Sequence, residues 1–123
     1  MTLKELYDSI GGDYEQAQRV LRIDKLIDKH IRKFPANPVF ADIEDAAKTM
    51  DASRLFESSH AIKGVCSNLG LVNIASAASE ISEEFRPGNP RKMTDGEVKS
   101  KVDGIGKMFA AASDGIRAYE ASL

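Results

Sequence analysis

Apolar residues recur at steps of three and four along nearly the whole chain, and no stretch alternates apolar and polar positions as a half-buried strand would. Residues 2–10 place Leu3, Leu6, Tyr7 and Ile10 on one side of a short helix, which Gly11-Gly12 breaks. Asp13 reads as an N-cap with Gln16 three residues on, a capping-box pattern. The helix it opens carries Val20, Ile23, Ile27, Ile31 and Phe34 along one face and ends at Pro35. Pro38 opens another, with Phe40, Ile43, Ala47 and Met50 inward, and Asp51 caps a helix over about 51–69. Past Gly70 a helix uses Ile74, Ala78, Ile81 and Phe85, and "RPGNPRK" opens the clearest loop, residues 86–93. Thr94 or Asp95 caps a long last helix, about 95–121, whose seam runs Val98, Val102, Ile105, Phe109, Ala112, Ile116, Tyr119. Short links between such helices predict an all-α fold, an antiparallel four-helix bundle with an additional short N-terminal helix, in one domain of residues 1–123.

The helix over 51–69 breaks its own pattern at "SSHAIKGVCSNLGL", where Gly64 stands in mid-helix at a cost of about 1 kcal/mol relative to alanine. With His60 at zero and about 100° per residue, Leu55, Ile62, Cys66 and Leu69 fall together on the far side and define the buried stripe. Lys63, Gly64, Ser67, Phe56 and Glu57 fall within about 60° of the histidine. His60 is therefore expected to project into water with Lys63 beside it. Gly64, on that outer face, leaves open the approach to His60. Phe56 suits an apolar docking surface around the histidine, and equally a half-buried helix edge. Asn68 lies about 80° from His60 and suits helix termination near Gly70.

Composition narrows the chemistry. Of 123 residues 42% are apolar and 29% charged, ordinary for a globular chain long enough to bury a core. A net charge of −2 with few aromatics and no Trp gives no footprint for nucleic acid. No apolar run approaches the roughly 20 residues of a membrane span. The opening "MTLKELYDSIGG" is amphipathic and acidic, unlike a signal peptide, so a cytoplasmic location is expected. Cys66 is the single cysteine, on the core stripe, and is expected to be inert. An inward set of His and Glu for a bundle metal site is lacking, His30 sits among charges, and no metal is expected. There is no P-loop or glycine-rich nucleotide box for an autonomous kinase, and no nucleophile–base pair for a hydrolase.

The run His60-Ala61-Ile62-Lys63-Gly64-Val65-Cys66-Ser67-Asn68-Leu69-Gly70 resembles the H-x-[LI]-K-G-x-x-x-N-[LIV]-G signature of histidine-containing phosphotransfer (HPt) domains. "LYDSIGGDYEQAQRVL" (6–21) is similar to the opening of many stand-alone HPt proteins, and the helical layout agrees along essentially the whole chain. Val65 and Cys66 depart from the small or hydroxyl residues common there. Ser82 stands where an acidic residue is frequent. These departures bear on partner preference.

The resemblance implies a phosphorelay carrier without kinase activity of its own. His60 would accept a phosphoryl group from a receiver-domain phosphoaspartate, through Nε2, and pass it reversibly to another receiver aspartate. An exposed imidazole is mostly neutral near neutral pH and offers one ring nitrogen as nucleophile without an activating base. Lys63 would offset the charge of the phosphoryl group. Gly64, Ser67, Phe56 and Glu57 would form the receiver-docking face, and Ser67 or Asn68, of which Ser67 is the better placed on the wheel, would donate to the phosphoryl group or fix the ring. Asn68 and Gly70 would be structural parts of the motif. The implied partners are response-regulator receiver domains and the receiver of a hybrid sensor histidine kinase. The chain would bind no cofactor, with Mg²⁺ carried by the receiver, and would act as a monomer. The alternative is a helical adaptor that docks receivers or other partners without phosphotransfer.

Overall fold

Thr2, Asp13, Asp51 and Thr94 each accept a hydrogen bond from the backbone N–H three residues on, and so start four helices. The computed structural model describes all 123 residues and contains helices only: α1 Leu3–Ile10, α2 Tyr14–Leu21, α3 Asp24–Lys33, a 3-10 turn at Phe34–Ala36, α4 Val39–Thr49, α5 Ala52–Asn68, α6 Val72–Phe85 and α7 Asp95–Ala121. At Thr2 and Thr94 the capping box is reciprocal, Glu5 and Glu97 each accepting from the backbone N–H of the capping threonine. At Asp13 only half of it forms, because the Gln16 side chain turns to accept from Arg19 instead.

Helices α4, α5, α6 and α7 pack as a closed ring, each against the next and α7 against α4. Links as short as Met50-Asp51 and Leu69–Leu71 leave consecutive helices no course but antiparallel. Their inward positions, with those of α1 to α3, build one continuous core. Phe34, Phe40 and Phe109 lock the 3-10 turn, α4 and α7 together, with Phe40 and Phe109 stacked at 4.0 Å.

The segment after Asp13 differs from the single helix its apolar spacing predicts. It breaks at Arg22, which takes a left-handed φ of 73°, and restarts at Ile23. Val20 and Ile23, expected inward, are 40% and 54% exposed. The cause is tertiary. α2 buries Ala17 against the end of α5, while α3 buries Ile27 and Ile31 and packs on α7, and one straight helix could not serve both surfaces. A hydrogen bond from Tyr14 to Asp24 braces the elbow.

Candidate functional site

Asp51 starts α5 and Gly70 ends it. At φ 74° Gly70 lets Leu71 N–H reach Cys66 C=O at 2.8 Å, closing the helix in the manner of a Schellman turn. Asn68 is the last helical residue and is exposed; its side chain makes no hydrogen bond, and the cap rests on Gly70. A Cβ on Gly70 would stand 2.2 Å from Asp13 C=O, and Asp13 N–H donates to Gly70 C=O at 2.7 Å. Tyr7 Oη donates to Leu69 C=O at 2.6 Å from the buried side. The N-terminal helices therefore fix the end of α5.

Between these ends, Leu55, Ile62, Cys66 and Leu69 are buried and His60 is exposed on the opposite side. No hydrogen bond within the chain engages either ring nitrogen of His60. Its one close ring partner is Phe56, half-buried and stacked on it at 5.6 Å and 19°. Lys63 is half-buried and in no ion pair, Ser67 is half-buried without a bond to the imidazole, and Glu57 is exposed. A Cβ added to Gly64 would meet nothing within 4 Å, so this glycine relieves no packing contact. The hydroxyl of Ser59, buried on the inner side, donates to Leu55 C=O at 2.6 Å, so its proton is held within the helix. Burial pushes the Cys66 thiol up to about 12, which leaves it without nucleophilic character at neutral pH.

Two residues of the neighbouring helix belong to this face and were not singled out from the sequence. Arg86, the residue that caps the C-terminal end of α6, lies over the Phe56 ring, its guanidinium carbon 5.6 Å from the centroid. It is paired with Glu83 at 2.7 Å. The Arg86 hydrogen bonds, and after them the charges of Arg86 and Lys63, outweigh desolvation and hold the Glu83 carboxyl below its ordinary range. An Arg three residues after a Glu at a helix end is a common surface pattern. Only the packing of α5 on α6 brings this one to Phe56.

The next residue, Glu84, faces the other way and is 4% exposed. Its Oε2 accepts from Lys92 N–H (2.9 Å), Met93 N–H (2.8 Å) and Arg91 Nε (2.9 Å), and so latches the 86–93 loop to α6. The Met93 N–H is the largest influence holding this carboxyl low, and burial only weakens the effect.

His30, set among charges, lines a groove of about 380 Å³ with Leu21, Lys33, Phe34, Val65 and Asn68. The groove lies along the C-terminal half of α5, beside the His60 face. No group of three or more His, Cys, Asp or Glu side chains gathers where it could hold a metal ion. No helix is long and apolar enough to cross a membrane.

Comparison with curated proteins gives no match, and comparison with solved structures gives none. The family model of the Hpt domain matches residues 36–114, from the turn before α4 to the last third of α7. That span contains the α4–α7 ring up to that point, and His60 on its outer wall. The chain belongs to the Hpt-domain family, with a phosphotransfer role in two-component signalling.

Proposed function

We propose that His60 is the phosphoacceptor of a phosphorelay carrier. The observation that carries this reading is the state of its imidazole: exposed, with both ring nitrogens free, beside the open surface at Gly64, inside the matched segment. In the forward step the Nε2 lone pair attacks the phosphorus of a receiver's phosphoaspartate. The P–N bond forms as the P–O bond to the aspartyl group breaks, and the carboxylate leaves with the electron pair. The ring proton stays on Nδ1 until the phosphoimidazole loses it to water. The reverse sequence delivers the group to a second receiver, so a hybrid kinase's receiver and a response regulator serve as donor and acceptor.

This chain supplies a nucleophile, the Lys63 ammonium and an unobstructed face. The in-line positioning and most of the charge neutralisation that phosphoryl transfer needs belong to the receiver, with its Mg²⁺. Phe56 and Glu57 flank the approach, and Ser67, one turn beyond Lys63, would donate to a phosphoryl oxygen. A receiver docks on a monomer of this chain in the cytoplasm.

Incubation with a phosphorylated receiver domain tests the reading. Acid-labile, base-stable label is expected on the wild-type chain. His60→Gln should abolish it with helicity and melting unchanged, because the side chain packs against little besides Phe56. Label that persists in His60→Gln would assign the acceptor elsewhere. Docking without any label would make the chain an adaptor.

A further inference from the structure

Charge is spread unevenly along this chain. Residues 19–33 carry six Lys and Arg against two Asp, a net +4, and the rest of the chain carries eleven against seventeen, a net −6. The whole-chain value of −2 conceals this division. The basic segment forms the elbow between α2 and α3, and it also holds Val20, Ile23 and Leu26, which are 40%, 54% and 38% exposed. Three of the six exposed large apolar side chains of the protein thus fall within seven residues.

The fold sorts the charges of this segment onto two flanks. Asp24, Asp28 and Arg32 follow one another at steps of four along one flank of α3. Both carboxylates are engaged there, Asp24 by Tyr14 Oη and Asp28 by Tyr119 Oη at 2.6 Å and Arg32 Nε at 3.0 Å. The contact between Arg32 and Asp28 is the single ion pair of the segment. On the other flank Leu26, Lys29 and Lys33 follow at steps of three and four. Lys29 and Lys33 are exposed and in no ion pair, as are Arg22 and Lys25 at the elbow. Beneath them Ala17, Ile27 and Ile31 are fully buried, which seats the elbow on the bundle.

We infer that the elbow of α2 and α3 is a docking surface for an anionic lipid bilayer. Val20, Ile23 and Leu26 do not line the groove beside α3, so they stand in water interleaved with free cations. Such side chains match a bilayer interface, where aliphatic groups enter the acyl boundary while long cations stay with the anionic headgroups. Exposed aliphatics have no counterpart on the phosphate backbone of a nucleic acid, whose binding is electrostatic. The excess negative charge of the rest of the chain is repelled by the same surface and so turns the elbow toward it. Association is weak and reversible, because three aliphatic side chains and a few cations fall far short of a spanning helix. The inference is independent of the reading of His60.

Co-sedimentation with vesicles tests it, using phosphatidylcholine alone and phosphatidylcholine with phosphatidylserine in equal parts. The wild-type chain is expected to bind the mixed vesicles at low salt, to leave them as salt is raised, and to ignore phosphatidylcholine alone. Lys25→Glu with Lys29→Glu should weaken binding roughly tenfold or more. Lys48→Glu with Lys99→Glu makes the same change of charge at exposed, unpaired lysines on α4 and α7, and should leave binding within about twofold of wild type. Val20→Ser with Ile23→Ser should weaken it several-fold, and serine suits the N-cap position that Ile23 holds. Melting curves confirm that each variant is folded. A wild-type chain that ignores the mixed vesicles would overturn the inference, and so would an equal loss in both lysine pairs or binding unchanged by the two serines. Vesicles left unbound, with receiver binding weakened by the Lys25 and Lys29 substitutions, would assign the elbow to a protein partner instead.

Discussion

A glycine in the middle of a 17-residue helix sacrifices about 1 kcal/mol against alanine, and at Gly64 no neighbouring helix or side chain accounts for the sacrifice. Gly64→Ala is therefore expected to raise Tm by roughly 4 °C, which a thermal melt followed by circular dichroism would show. Gly64→Gln should also fold, yet slow transfer from a phosphorylated receiver by crowding the approach to His60. Transfer at the wild-type rate would remove approach as the reason for glycine here. Residues on a single helix were the most legible part of the sequence. The outward turn of His60, the burial of Cys66 and the open face at Gly64 all follow from one period applied to one segment. Arg86 and Glu83 were not legible, because their place beside Phe56 depends on the register between two helices. No spacing along the chain encodes that register.

At the scale of elements the same division holds. Helices opened by Asp13, Asp51 and Thr94 could be read from their caps, since capping is a contact between near neighbours. The break at Arg22 could not. No glycine or proline lies between Asp13 and Phe34, and the left-handed residue there is imposed by two different packing surfaces. The 86–93 loop was legible as a loop, though the carboxylate that holds it was not. Glu84 is charged when it accepts its three bonds, so its folded pKa lies below that of the unfolded chain. The latch therefore contributes its full stability above about pH 4.5 and loses it as the pH falls through the depressed value. The amide resonances of Lys92 and Met93 should titrate together, with a midpoint below that of an ordinary glutamate. Glu84→Gln should abolish that titration and lower Tm at neutral pH. A midpoint at the ordinary value would show that the amide bonds do not favour the charged form.

The segment that identifies the family and the segment that folds are different lengths of chain. Residues 36–114 carry the match and nearly all of the α4–α7 ring, yet Leu3, Leu6, Tyr7, Ile27, Ile31 and Phe34, six large core side chains, come from before it. Burial contributes roughly 1.5–3 kcal/mol for each such side chain, so together they supply about as much as the whole net stability of a domain. The N-terminal helices also reach the helix that bears His60. Tyr7 Oη and Asp13 N–H donate to the carbonyls of Leu69 and Gly70, and Ala17 packs against the same turn. Removing them would uncover the core faces of α5 and α7 and leave the last turn of the His60 helix without its outside partners. A fragment of residues 36–123 is thus expected to lose the cooperative thermal transition of the full chain, with helical content retained only in part. Within the full chain, Tyr7→Phe isolates one of these contacts, and losing its buried hydrogen bond should cost about 1–2 kcal/mol, or several degrees of Tm. A fragment that melted cooperatively within a few degrees of the intact protein would show that the ring stands alone. The N-terminal helices would then be an addition to the carrier fold, with no part in holding His60 in place.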